Sequence, residues 1–228
     1  MTLVSSLSSS AADVNDKYNN KRLPKGIHIV EADDASDSKV RGMSKNEEEG
    51  APWGYIFIQH MSAGSFEKKL ESLKLEGTFR PKCFIHRTVR YKQKPNGKGV
   101  MKEEKPTVSG LVFLQGETNQ LRTFLIHNFP HYYLVNDCST GKPATIADSL
   151  MRPFMKIMEE EPERVTFLRD PFVKFAKDHV KLRVLTGIMA GQVGYVVRIL
   201  KNRQLVMDFG GYAVAISNVH LEDFEIAE

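Results

Sequence analysis

The sequence predicts an α+β domain followed by a small all-β domain, and three features of the chain support this. Between residues 53 and 158, short apolar strands alternate with segments whose apolar residues recur at helical spacing. Residues 179–228 contain at least four short, β-branched strands separated by Gly, Asn and Asp. Residues 1–50 are rich in Ser, Asn, Asp, Glu and Lys, and this composition predicts a disordered tail in which only residues 26–30 (GIHIV) can pair as a strand.

The first domain, residues 51–160, is predicted to begin with a strand and a helix. Residues 55–61 (YIFIQHM) are almost continuously apolar, which is typical of a strand covered on both faces. Ser65 is predicted to cap a helix with Phe66, Leu70 and Leu73 on its apolar face. A second strand is expected from residue 79 into residue 90.

The rest of this domain is predicted to add two strands and two helices, which gives an antiparallel sheet with three helices. Residues 108–114 (VSGLVFL) are the third strand, and Thr118 is predicted to cap the helix that follows. Residues 132–135 are the fourth strand. The last helix spans residues 148–158, and Pro153 is expected to bend it or to mark its first turn because proline lacks a backbone donor.

A basic arm extends from residue 86 to residue 105, with Pro95, Asn96 and Gly97 as the turn at its tip. It has seven basic residues against two acidic ones. Such an arm is suited either to following a phosphate backbone or to protecting a sheet edge as a solvated hairpin. The candidate nucleic-acid contacts are Arg87, Arg90, Lys92, Lys94 and Lys98.

Residues 161–178 are predicted to be a linker, with one short extended piece at residues 165–168. The domain that follows has the size of an SH3-like β-barrel. Its first two strands are joined through Gly187, Gly191 and Gly194, and three glycines within eight residues indicate a tight, shaped turn.

Five segments in order resemble the NusG family of transcription factors, which consist of an NGN domain and a KOW domain. Residues 182–199 resemble the KOW turn, which also occurs in several ribosomal proteins. Residues 55–59 (YIFIQ) are similar to the family's opening strand, and residues 62–67 (SAGSFE) to its turn into the first helix. Residues 109–114 (SGLVFL) and 142–146 (KPATI) resemble two further family segments. The basic arm and the Gly-Tyr-Val-Val-Arg-Ile strand look most similar to specialised Bacteroidetes paralogues that regulate surface-polysaccharide operons by antitermination.

The resemblance implies that the first domain binds the clamp helices of RNA polymerase through an apolar depression between the third strand and the last helix. That depression would be lined by Tyr55, Val108, Leu111, Met151 and Phe154. The alternative is that these side chains belong to the core, since apolar residues at helical spacing usually face inward. For the basic arm, the resemblance adds non-template DNA or nascent RNA as candidate partners.

The resemblance also implies a second partner for the barrel, either Rho or a small-subunit ribosomal protein. Ile188 and Met189, at the tip of the KOW turn, are the candidate contacts. The structural alternative is that both side chains fold back over the mouth of the barrel.

Charge and composition restrict the remaining function classes. The net charge is +4, and residues 1–50 carry −2, which leaves +6 on residues 51–228. A ribosomal RNA-binding KOW protein, one alternative function, would be expected to be far more basic. No apolar run is long enough to span a membrane, and no signal peptide is recognisable. A cytoplasmic, monomeric protein is therefore expected.

Catalysis is not expected, and neither a cofactor nor a metal site is predicted. Cys83 and His86 lie three residues apart, and in a strand this spacing places their side chains on opposite faces. The prediction is therefore a transcription elongation regulator of the NusG type, with operon-specific antitermination as its role. A general NusG-type elongation or termination factor is the other alternative.

Overall fold

The computed structural model describes residues 23–30, 50–74, 79–137 and 140–227, and it gives no side-chain description for Val89 and Arg90. Most of the predicted disordered tail therefore lies outside the described residues. The chain divides into two compact units. The α+β unit comprises Asn46–Glu163 and Phe209–Gly211, and the sheet unit comprises Met1–Lys45, Arg164–Asp208 and Tyr212–Glu228.

The described residues form twelve strands and four α-helices, so the predicted mixture of α and β structure is confirmed. The strands are β1 (His28–Ile29), β2 (Trp53–Phe57), β3 (Lys82–Phe84), β4 (Arg87–Gln93), β5 (Val100–Pro106), β6 (Leu111–Gln115), β7 (Val165–Phe167), β8 (Lys181–Val184), β9 (Val193–Ile199), β10 (Asn202–Phe209), β11 (Tyr212–Ile216) and β12 (Asp223–Ile226). The helices are α1 (Ala63–Ser72), α2 (Thr118–Asn128), α3 (Asp148–Glu160) and α4 (Val173–Ala176).

The α+β unit contains an antiparallel sheet in the order β2-β6-β3, together with α1, α2 and α3. Strands β2 and β6 are almost entirely buried, as the continuous apolar run at residues 55–58 predicts. Behind them, α1 and α2 contribute Phe66, Leu70, Leu121, Phe124 and Leu125 to one core. The apolar period of each helix therefore determines which of its faces is covered.

Local details differ from the prediction at both helix starts and at the fourth strand. The N-cap of α1 is Ser62 rather than Ser65, because the Ser62 hydroxyl accepts a hydrogen bond from the Ser65 backbone N–H at 3.0 Å. Glu117 rather than Thr118 caps α2, with Gln120 completing a capping box. Residues 132–135 form no ladder and contribute only a single bridge from Leu134 to Ile56.

The basic arm is a two-stranded hairpin, with β4 paired to β5 from Arg87 opposite Pro106 to Gln93 opposite Val100. Its predicted turn is confirmed, since the Gly97 N–H donates to the Lys94 carbonyl at 2.9 Å and Gly97 has a φ of +69°. Tyr91 and Val100 are exposed on this hairpin.

The sheet unit holds one seven-stranded sheet in the order β1-β12-β8-β9-β10-β11-β7. The prediction of a closed barrel is wrong for the described residues. The outer edge of β12 pairs with β1, and the outer edge of β11 pairs with β7, so neither edge is available to close the sheet. Strand β7 lies in the segment predicted as a linker, and the strand expected within residues 26–30 is β1.

A buried ion pair links two segments of the sheet unit that are distant in sequence. Arg164 donates to Glu222 at 2.7 Å, and its Nε also donates to the Ser217 carbonyl at 2.9 Å. The Glu222 side chain lies against Gly187, where a Cβ would come within 3.2 Å of it. Gly187 and Gly191 have φ values of +82° and +85°, which confirms the tight turn expected between β8 and β9.

Candidate functional site

Helix α3 is fixed at its N-terminus by the buried carboxylate of Asp148. The Trp53 indole N–H donates to Asp148 at 2.8 Å and the Gln115 amide donates at 3.0 Å. The Gly50 backbone N–H donates at 3.2 Å, and the Arg152 guanidinium forms an ion pair with the same carboxylate. Asp148 therefore ties the first turn of α3 to β2 and β6, which positions the face of α3 that follows.

That face belongs to a cluster of aromatic side chains, called here the aromatic cluster: Tyr55, Phe84, Phe113, Phe154 and Phe209. The Phe113 ring lies 6.0 Å from Tyr55, 6.2 Å from Phe84 and 6.2 Å from Phe154 between centroids. The rings are tilted or edge-to-face, the arrangements that aromatic quadrupoles favour. Strands β2, β3 and β6 and helix α3 each supply one side of this cluster.

Phe209 occupies the space between β6 and α3. Its ring is 4.2 Å from the Phe154 ring and 5.9 Å from the Phe113 ring, and only 1% of Phe209 is exposed. The Tyr55 hydroxyl donates to the Gly210 carbonyl at 2.7 Å. Gly210 has a φ of +62°, and a Cβ there would lie 2.8 Å from Ile146, so this approach requires glycine.

The five predicted polymerase contacts lie in or beside this arrangement. Tyr55, Leu111, Met151 and Phe154 are buried, whereas Val108 is half-buried. In the described conformation four of the five are therefore core side chains, and their role toward a partner stays a prediction. Phe84, Phe113 and Phe209 were not among the site residues predicted from the sequence. Their only sequence signal is that all three are phenylalanines in or at the end of β-strand patterns.

The five predicted nucleic-acid contacts differ in whether a carboxylate neutralises their charge. Arg87 pairs with Glu67, and Lys92 pairs with Glu103 at 2.8 Å. Lys94 and Lys98 are exposed near the tip of the hairpin, and neither has a carboxylate partner among the described residues. Arg90 lies in β4, and its side chain is outside the description. Among the side chains of the arm that the structure describes, only those at the tip combine exposure with charge that no carboxylate neutralises, and their binding role stays a prediction.

The two candidate contacts in the β8–β9 turn have different surroundings. Met189 is 2% exposed and Ile188 is half-buried. The Gln192 N–H donates to the Met189 carbonyl at 3.0 Å, so the turn closes on itself around this residue. Met189 is therefore a buried side chain of this turn, and a partner role for Ile188 and Met189 stays a prediction.

Cys83 and His86 are both shielded from water, and this shielding shifts their pKa values in opposite directions. Burial raises the pKa of the Cys83 thiol to about 12, and the carboxylate of Glu67 adds to the rise. Burial lowers the pKa of the His86 imidazole to about 4. A thiol with so high a pKa is almost entirely protonated at neutral pH and is a poor nucleophile.

The shift of His86 predicts a loss of stability in mild acid. Its ordinary pKa is 6.5, so below this pH the unfolded chain binds a proton that the folded chain refuses until about pH 4. The stability that is present above pH 6.5 is thus lost as the pH falls, by about 1.4 kcal/mol per pH unit and about 3 kcal/mol in total. Urea unfolding between pH 7 and 4 measures it. The free energy of unfolding should depend less on pH in His86→Gln. The dependence should persist in His127→Gln, which changes an exposed histidine. Equal pH dependence in the two variants would contradict its assignment to His86.

The described residues contain neither a metal-binding group nor a membrane-spanning helix. No group of three or more His, Cys, Asp or Glu side chains in this part of the chain could hold a metal ion. Within the same residues, no helix is both long enough and apolar enough to cross a membrane.

Comparison with known proteins found similarity among solved structures. No family model matches the sequence, and no curated protein matches it. Among solved structures, the chain is similar to NusG from Thermotoga maritima. That structure is described as showing domain interaction in this NusG. The two are 16% identical, the alignment covers 79% of this chain and 98% of that chain, and the TM-score is 0.37.

Proposed function

We propose that this protein is a transcription elongation regulator that binds the clamp helices of RNA polymerase through the surface between β6 and α3. The proposal rests first on the five segments that resemble the NusG family in the same order along the chain. It requires no cofactor and no catalytic residue, and it places the protein in the cytoplasm.

The observation that carries the proposal is the seating of Phe209 between Phe113 and Phe154. Aromatic side chains around an inserted phenylalanine form a surface that suits an apolar side chain of a partner. Because Phe209 fills this position, a polymerase helix can bind there only when the Phe209 side chain leaves it. Binding is then an exchange of one apolar occupant for another.

Differential binding explains how such contact would regulate transcription. A protein that binds the elongating state of the polymerase more tightly than the paused state shifts the population toward elongation. Operon-specific antitermination is the outcome we propose. In this proposal, Lys94 and Lys98 at the hairpin tip contact the non-template DNA strand or the nascent RNA. The β8–β9 turn with Ile188 contacts Rho or a small-subunit ribosomal protein.

Single-round transcription with the cognate RNA polymerase tests the proposal. Adding the full chain should change pause lifetimes, and the protein should co-purify with polymerase. Val108→Asp places a charge at the half-buried edge of the proposed surface and should weaken the effect about 10-fold, whereas Val173→Asp, at an exposed valine of the sheet unit, should not. Unchanged pause lifetimes together with no co-purification would exclude the function, and equal effects of the two substitutions would exclude this surface.

A further inference from the structure

The turn between β9 and β10 has residues that its geometry disfavours. Ile199 pairs directly with Asn202, so Leu200 and Lys201 alone form the turn. Their φ values are +48° and +73°, the pattern of a type I′ hairpin. This turn favours Asn-Gly because both residues take left-handed conformations, which a bulky residue such as leucine rarely adopts. Local folding preference therefore does not explain the Leu-Lys pair.

Leu200 is also the most exposed large apolar side chain among the described residues, at 90%. An apolar side chain at the end of a rigid hairpin gains nothing from the fold itself, since it contacts almost no core. Burial of such a side chain against another molecule is favourable. The turn thus presents one apolar group at a fixed position.

Three cationic residues, Arg198, Lys201 and Arg203, lie within three positions of Leu200 in the sequence. Arg198 and Arg203 are directly opposite each other in the ladder, and like charges in that position repel. Arg198, Lys201 and Arg203 are exposed, and no carboxylate pairs with any of them among the described residues. The Arg198 Nε donates only to the Lys201 carbonyl, at 3.3 Å. The Arg203 guanidinium lies against Gly26, where a Cβ would come within 3.0 Å of it.

We infer that this hairpin tip, Leu200 with Arg198, Lys201 and Arg203, is a docking site for a protein that offers an apolar pocket rimmed by carboxylates. Such a complex would offset both unfavourable features of the tip. Leu200 would be buried, and the opposed Arg198 and Arg203 would receive anionic partners. A nucleic acid is the weaker candidate. The tip exposes no aromatic side chain for base stacking, and phosphate contacts alone would leave Leu200 in water.

This site is distinct from the β8–β9 turn and from the surface between β6 and α3, and the inference does not rest on the proposed function. Its test is a titration of the isotope-labelled full chain, followed by amide resonances. The probe is a short synthetic peptide of interspersed glutamate and leucine, and its glutamine counterpart and a short DNA duplex are the comparison ligands. The acidic peptide should shift the resonances of residues 198–203, and the glutamine peptide should not.

Two leucine substitutions distinguish docking at the hairpin tip from nonspecific hydrophobic binding. Leu200→Asn removes the apolar group, retains all three cations and suits the turn, and it should weaken peptide binding about 10-fold. Leu221→Asn changes another exposed leucine of the sheet unit, at 73% exposure, and should leave the affinity unchanged. Arg198→Gln should weaken binding and flatten its dependence on salt.

A stability measurement distinguishes a binding role from a structural one. The double change Leu200→Asn with Lys201→Gly installs the preferred turn and should raise Tm by about 3 °C or more while it weakens peptide binding. Three results would overturn the inference: no shift of residues 198–203 by the acidic peptide, equal affinity of the wild type and Leu200→Asn, or tighter binding of the duplex than of the peptide at this tip. The last result would assign the tip to nucleic acid.

Discussion

Replacing Asp148 with alanine is expected to lower the free energy of unfolding by about 3–5 kcal/mol. The carboxylate is 3% exposed and accepts hydrogen bonds from Trp53, Gln115 and the Gly50 backbone, besides its ion pair with Arg152. Its removal leaves the Trp53 indole N–H and the Gln115 amide without this acceptor, and an unsatisfied buried donor costs about 1–3 kcal/mol. Loss of one partner of a buried ion pair has a similar cost, and here Arg152 is partly exposed, which moderates it.

Urea unfolding of the full chain measures this loss. Asp148→Asn retains an acceptor for the Trp53 indole and should cost less than alanine. Asp170→Ala removes an exposed carboxylate that also pairs with a residue four positions later, Lys174, and should change stability by less than about 0.5 kcal/mol. If Asp148→Ala and Asp170→Ala had similar effects, Asp148 would not be the anchor of α3.

Replacing Phe209 with alanine is expected to lower stability by about 3–5 kcal/mol and, under the proposed function, to strengthen polymerase binding. The stability loss follows from the cavity that a fully buried phenylalanine leaves between Phe113 and Phe154. The gain in affinity follows from population arithmetic. A binding site that is filled in most molecules binds its partner more weakly, in proportion to the fraction that is open. We expect the apparent Kd for polymerase to fall about 10-fold.

Phe129→Ala is the matched control for this prediction. Phe129 is a buried phenylalanine of the α+β unit that packs on Phe66 and Phe124, remote from the aromatic cluster in its contacts. Both substitutions should destabilise the protein to a similar degree, and only Phe209→Ala should tighten polymerase binding. Phe209→Leu should show a smaller version of both effects. Equal affinities of Phe129→Ala and Phe209→Ala would refute the exchange of occupants between β6 and α3.

Much of the local structure could be predicted from the sequence because the signals are local. The apolar period of residues 148–158 predicts α3. Pro153 does not mark its first turn, since the helix begins at Asp148 and contains Pro153 in its interior. The turn residues Pro95, Asn96 and Gly97 predict the hairpin tip because they suit its backbone conformation. The helix starts were predicted less well, since Ser62 and Ser65 are both acceptable caps and the choice depends on the chain's path out of β2.

Only some residues of the candidate site could be predicted from the sequence. Residues 55, 111, 151 and 154 were named because the family resemblance points to the space between the third strand and the last helix, but that resemblance does not say which neighbour covers them. The cover is Phe209, which lies at least 55 positions away from each of these residues in the sequence. The hydrogen bonds to Asp148 could not be predicted from the sequence either. Their donors at positions 50, 53 and 115 are brought together only by the pairing of β2 with β6.

The sequence by itself determined helices α1, α2 and α3, the central strands β2 and β6, the glycine turn of the sheet unit and the polar character of residues 1–50. These follow from periodicity, backbone preference and composition within short windows of the chain. Tertiary structure alone decided that β1 and β7 take the edges of the seven-stranded sheet and leave it open, and that Phe209 fills the space beside α3. Both depend on non-local contacts, whose free energy no short window of sequence contains.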